Sequence, residues 1–409
     1  MEVRRGYKQT EVGVIPTEWL CLTIGDIAFP STEKNTDRRN LPVLSCSKHY
    51  GFVDSLVFFS KQVFSDDISS YKIIRRGEFG FPANHIEEGS IGFQVNYDEA
   101  VVSPIYVVFR ISVKVNGTFL YAILKTERYR QIFRSSTSAS VDRRGSLRWP
   151  EFSSIKVPVP PLSEQIAIAN AINDFDELIA SLEYLTGKKR NIKKGMMQDL
   201  FTGKRRLPGF SGQWKESELR ELISEVIDNR GRTPPISVEG QPVIEISSVY
   251  GEKKYPDYSK VSKYVDYETY KTWFRDGHPA EGDVLIGTVG SVGASAVMDD
   301  NIGCIAQNIV GIRFLSNYNS DFFYYFTNTD DFKSQVNAVL MGAVQPSLKV
   351  PHLLSFKIKH PDEDEQTAIA KILSDVDSEI NELERKLAKY RMIKEGMMQE
   401  LLTGKMRLV

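Results

Sequence analysis

Seven apolar residues toward the C-terminal end of the chain, Val376, Ile380, Leu383, Leu387, Tyr390, Ile393 and Met397, follow one another in steps of four or three. That spacing lays one apolar seam along a helix, predicted here from Asp362 to Leu402. Asp362 and Glu365 fit its start, the Asp as cap and the Glu reaching back to it, and Gly404 suits a left-handed end. Roughly 40 residues at about 1.5 Å each make a rod of about 60 Å. An earlier stretch has the same frame with a weaker seam: Phe175, Ile179 and Leu182 lead to Thr186 and Lys189, where apolar residues are expected. A seam residue stabilises by roughly 1.5–3 kcal/mol only when it is covered, so neither helix can stand alone. Its cover is either the other helix, giving an antiparallel intramolecular pair, or its own globular neighbour.

The two helices are copies. Glu164 to Leu207 aligns with Glu365 to Leu408 at a constant offset of 201 residues, and 24 of the 44 positions are identical. The match extends back to Ser146-Leu147-Arg148-x-Pro150 over Ser347-Leu348-Lys349-x-Pro351 and then fades. Two half-repeats follow, with helical parts held similar and globular parts diverged. The predicted fold class is α/β (α+β): two globular domains at 1–155 and 206–355, and helical regions at 156–205 and 356–409. Strand-like runs include Leu41–Ser45, Val101-Val102 with Tyr106–Phe109, and Asp283–Ile286. Phe119–Leu124 and Phe322–Phe326 read as short buried helices, and Gly287–Gly293 as a tight turn between strands.

Composition narrows the function. The 409 residues are 41% hydrophobic and 26% charged, with no bilayer-length apolar run and no signal-peptide core at Met1-Glu2-Val3-Arg4-Arg5, so a cytoplasmic protein is expected. Cys21, Cys46 and Cys304 are odd in number and far apart, which argues against a disulfide framework or a zinc site. The five histidines show no ligand spacing, and no catalytic or nucleotide-binding motif is complete. No metal, cofactor or catalytic residue is therefore expected. A net charge of −1 excludes a globally basic nucleic-acid binder, yet Lys125 to Arg148 holds seven basic residues against two acids.

Several motifs converge on one family. Val157-Pro158-Val159-Pro160-Pro161-Leu162-Ser163-Glu164-Gln165 opens the first long helix, which closes on Gly195-Met196-Met197-Gln198-Asp199-Leu200-Phe201-Thr202-Gly203-Lys204. The second copy ends the same way, from Gly396 to Lys405. Gly6–Trp19 fits as the opening segment. Together these resemble the DNA-specificity subunit of type I restriction-modification enzymes, and the resemblance spans the chain. The mild departure is His360-Pro361-Asp362-Glu363 in place of the second Pro-Pro-Leu. The resemblance implies two target recognition domains, each reading half of a bipartite double-stranded DNA site. It also implies a helix pair that sets the spacer, and partners in the form of two methyltransferase subunits and motor-nuclease subunits that do the chemistry.

On that reading, arginine forks and amides become candidates for base and phosphate contact. In the first domain these are Arg143, Arg144 and Arg148, Asn84 and His85 after a strand, and Lys48, His49 and Tyr50. In the second they are Arg230 and Arg232, Tyr250, Lys253 and Lys254, Thr288 and Ser291, with Gln345 and Lys349 at the repeat positions of Arg144 and Arg148. Solvated charged loops would look the same. The helix-pair core is assigned to Phe175, Ile179, Leu182, Val376, Ile380, Leu383, Leu387, Tyr390 and Ile393. A recognition subunit of another restriction class and a protein-binding coiled-coil scaffold remain the competing functions.

Overall fold

A computed structural model describes residues 4–137, 146–251, 253–340 and 346–408. The chain divides into two compact units: residues 1–182 with 386–409, and residues 183–385. Each unit therefore contains part of both long helices.

The first unit is built on a four-stranded antiparallel sheet in the order Ala28–Ser31, Tyr106–Ile111, Glu78–Pro82, Gly92–Phe93. Alternation along Glu78–Pro82 sends Phe79 and Phe81 to one face, where Phe109, Phe119, Phe133 and Phe152 join them in the main core. Gly80 lies between them, and a Cβ there would reach within 3.0 Å of the Phe52 ring. Its missing side chain lets Phe52, Ile74, Val108 and Tyr106 form a second core on the other face. Asn116 caps the buried helix Gly117–Leu124 through the Phe119 amide, 3.0 Å.

The second unit repeats this plan with the order Ile223–Ile227, Ile309–Phe314, Val284–Gly287, Ser295–Val297. The expected turn at Gly287–Gly293 joins the last two of these strands in space. Ser320–Thr327 is the second aromatic helix, with Phe322 to Phe326 all buried and Asn319 as its cap. No helix among the described residues is long and apolar enough to cross a membrane.

The long helices run Leu162–Phe201 and Glu363–Leu401. Within each unit the two segments pair antiparallel. In the first unit the Phe175 and Tyr390 rings lie 6.4 Å apart and Lys394 is ion-paired with Asp176. In the second, Lys193 meets Asp377 at 2.6 Å, Arg190 meets Glu384 at 2.6 Å, and Lys189 pairs with Glu379. Lys193–Asp377 and Lys394–Asp176 are the same contact shifted by 201 residues, so the repeat in sequence is a repeat in interactions.

The helix starts are fixed the same way twice. Glu164 is 1% exposed and takes Arg407 Nε at 2.5 Å, Arg407 Nη2 at 2.9 Å and the indole N–H of Trp19 at 2.9 Å. Glu365, also 1% exposed, takes Arg206 Nε at 2.7 Å and Nη2 at 2.6 Å. Gln165 and Gln366 each accept the backbone N–H of the asparagine that caps the neighbouring aromatic helix, at 2.8 and 2.9 Å. The Glu-Gln pair found in both repeats thus nails each long helix to its globular domain. The expected cap is half formed: Asp362 accepts the Glu365 amide at 3.1 Å, while the Glu365 carboxylate is held by Arg206 instead of reaching back.

One seam assignment needs correction. Ile380 is buried and Phe175, Ile179, Leu182, Val376, Leu383, Leu387 and Tyr390 are half-buried, but Ile393 is 40% exposed. Conversely, Thr186 is buried at a position where the seam looked broken. Steps of four and three continued strictly from Tyr390 lead to Lys394 and Met397, both half-buried, so Ile393 stands one residue off the seam.

Candidate nucleic-acid interface

In the first unit the sheet presents a rim where Glu78–Pro82 ends and Tyr106–Ile111 begins. The Leu147 amide donates to the Ala83 carbonyl at 2.8 Å, which sets Arg148, exposed, beside Asn84 and His85. Lys125 reaches the Lys48 carbonyl at 2.6 Å and the Gly89 carbonyl at 3.0 Å, tying the hairpin tip Lys48-His49-Tyr50 to the turn that follows His85. Burial lowers the pKa of Lys125 from its usual value. Lys48, His49 and Tyr50 are exposed, and Asn84 is half-buried. Six candidates from three separate stretches are therefore gathered at one end of the sheet. Arg143 and Arg144 lie outside the described residues.

His85, Glu87 and Glu88 are the one group among the described residues whose ligand atoms fall within 4.8 Å of one another. His85 and Glu88 stand at 3.5 Å in an i, i+3 pairing on an exposed turn, an ordinary surface arrangement.

The second unit splits its candidates. The Thr288 amide donates to Asn308 O at 2.7 Å and the Leu348 amide to Thr288 O at 2.8 Å, which brings exposed Lys349 to the Gly287–Gly293 turn with half-buried Ser291. Thr233 bonds Gln307 at 2.6 Å, placing exposed Arg232 on the same side. Thr288 itself is fully buried, and its hydroxyl has no hydrogen-bond partner. Its contribution is to the backbone, so the expectation of an offered hydroxyl is corrected. Arg230 is engaged through two bonds to Asp228, 2.7 and 2.8 Å, an arrangement that holds the Asp228 carboxyl below its usual pKa. Gln345 lies outside the described residues.

Lys253 and Lys254, with exposed Tyr250, sit elsewhere. Val297 bonds the Lys254 carbonyl at 2.8 Å, and Val297 pairs with Val284 at the opposite end of the strand from Gly287, about 10 Å away at roughly 3.3 Å per residue. Lys254 is paired with Asp321 at 2.7 Å and is largely covered. Lys253 bonds Asp257 at 2.8 Å, and this bond with that of Ser259 pulls the Asp257 pKa down to about 2. Both lysines border a cavity of about 1060 Å³ whose other wall carries Arg190, Lys193, Lys194 and Lys204. Between Lys188 and Arg206 stand eight basic residues and one acid, Asp199. That density exceeds the Lys125–Arg148 stretch and was readable in the sequence, but the helical seam drew attention away from it.

Matched backbone frames that carry unlike exposed side chains define a protein of duplicated recognition modules. The family model described as the type I restriction modification DNA specificity domain matches this chain twice, over residues 16–193 and 212–389. The chain belongs to that family. A Methanocaldococcus jannaschii protein named as the type I restriction enzyme MjaX specificity subunit is 27% identical, over 98% of this chain and 97% of its own length. The MjaVIII specificity subunit of the same organism is 26% identical over 63% of each chain. Among solved structures, the S subunit of a type I restriction-modification system from M. genitalium matches with a TM-score of 0.58 at 13% identity, covering 98% of both chains. The HsdS subunit from Thermoanaerobacter tengcongensis matches at 0.51 and 16%, covering 96% of this chain and 98% of that one. These structures share the fold.

Proposed function

We propose that this chain is the non-catalytic, sequence-reading subunit of a cytoplasmic type I restriction-modification complex. The recognition domains, residues 1–155 and 206–355, each read one half of an asymmetric bipartite DNA site. The antiparallel helices determine how many unread base pairs separate the halves, as half-site spacing follows from geometry in other DNA-binding architectures. Two methyltransferase subunits and motor-nuclease subunits supply methylation, translocation and cleavage, and the chain itself holds no cofactor. The observation that carries this reading is the double family match, one copy for each domain built on a common frame with different rim side chains.

The test is methylome mapping of the host with and without this gene, alongside DNA binding by the chain co-expressed with its methyltransferase. Methyladenine at a bipartite motif, lost on deletion, supports the proposal. An unchanged methylome with salt-insensitive binding would favour a protein scaffold. Changing Arg143, Arg144 and Arg148 together to Ala is expected to relax one half-site only; equal loss at both would count against domain-wise reading.

A further inference from the structure

The frames of the two units can be equated bond by bond. In the first, the Ala83 amide faces the Ile105 carbonyl at 3.4 Å while its carbonyl takes the Leu147 amide at 2.8 Å. In the second, Thr288 makes the same two bonds with Asn308 and Leu348, at 2.7 and 2.8 Å. Ala83 therefore corresponds to Thr288, Ile105 to Asn308, and Leu147 to Leu348. Leu147 and Leu348 are alike and fully buried. The turn entering the central strand is unlike: Pro104-Ile105 in one unit, Gln307-Asn308 in the other. Ile105 is 47% exposed, and Gln307 is exposed with its amide nitrogen 2.6 Å from Thr233 Oγ1. Asn308 sits at φ +69°, a left-handed turn conformation that asparagine adopts more readily than other residues with a side chain.

We propose that this two-residue turn is a base-reading element in each unit, with Gln307 the specificity-determining residue of the second and Ile105 that of the first. The assignment rests on the DNA-reading function proposed above. A glutamine amide recognises adenine by accepting from N6 and donating to N7. Thr233 takes one amide hydrogen and so fixes the side chain, leaving the carbonyl oxygen and the second N–H for that pair. Ile105 has no polar group to offer and suits the thymine methyl. Gln307 stands opposite Pro104, and Ile105 opposite Asn308, so the two turns read through different residues of the pair: adenine in the half read by the second unit and thymine in the half read by the first.

The experiment uses the full chain in complex with its methyltransferase, and reads both the methylated motif and cognate DNA affinity. Gln307→Ala is expected to relax one adenine position in one half-site and to weaken cognate binding roughly 10–100-fold, leaving the other half-site intact. Thr233→Val, which keeps the glutamine but frees it, should relax the same position more weakly. Hydrogen exchange of both variants verifies the fold. An unchanged motif with affinity within twofold of wild type would overturn the assignment while leaving the DNA-reading function standing. A wild-type complex with no bipartite motif would remove both.

Discussion

Replacing Arg407 with Ala strips a buried carboxylate of its counter-charge. Glu164 would keep only the Trp19 indole bond while remaining almost fully enclosed. Removing one partner of a buried pair typically costs about 3–5 kcal/mol. The Arg407 side chain is 21% exposed, so water can enter once it is gone, and the lower end, roughly 3 kcal/mol, is expected. In a unit of about 200 residues that corresponds to a drop in melting temperature of about 6–12 °C. Hydrogen exchange by peptide gives the location: faster exchange should be confined to residues 1–182 and 386–408. Arg206→Ala is the mirror experiment, exposing Glu365 and loosening residues 183–385 instead. Adding Glu164→Gln to Arg407→Ala should recover most of the loss, since the uncovered charge is then removed while the buried Trp19 indole N–H keeps an acceptor. A destabilisation below about 1 kcal/mol, or a loss shared evenly by both units, would refute the idea that this ion pair locks the first helix start.

Acid should weaken the second unit. Burial lowers the pKa of His278, stacked 3.6 Å from Tyr270, and of His360, whose ring nitrogens face Pro361 O and Ser217 Oγ. A depressed folded-state pKa means the unfolded chain binds the proton first, so stability is full above about pH 6.5 and falls as pH drops below it, by at most about 1.4 kcal/mol per pH unit for each histidine. Unfolding of residues 183–385 followed between pH 7.5 and 5.5 checks this, and a flat profile would contradict it. Along the helices, Ile380→Ala should cost about 2–4 kcal/mol and Ile393→Ala less than about 1, which denaturant titration separates. Equal costs would return Ile393 to the covered face of the helix.

Local pattern announced the long helices because their information is repetitive: Ile380 and Leu383 signal themselves through neighbours three and four residues away. It also carried the aromatic helices, whose asparagine caps and apolar runs lie side by side. The rim was legible in part. Asn84, His85 and Arg148 could be nominated by residue type, yet their convergence depends on the Leu147–Ala83 bond, which spans 64 positions and leaves no local trace. Lys254 illustrates the failure most clearly. A lysine on a turn looks free until Asp321, 67 residues away, is brought against it. Thr288 misled for a related reason: the glycines around it suggested openness, while the strand leading to it ends inside the core. Gln307 escaped notice because a single amide in a turn has no pattern at all.

The division of the chain also dictates an order of events at the ribosome. The second unit is one continuous stretch, 183–385, and can close as soon as it has emerged. The first cannot, because Leu401 and Leu402 belong to the same core as Trp19 and Phe152. At roughly 5–20 residues per second, the interval between Leu182 and Leu402 lasts about 10–45 s. During that wait the residues before Leu182 expose an unfinished apolar surface, and the segment around Leu401, made more than two hundred residues later, is the one that seals it.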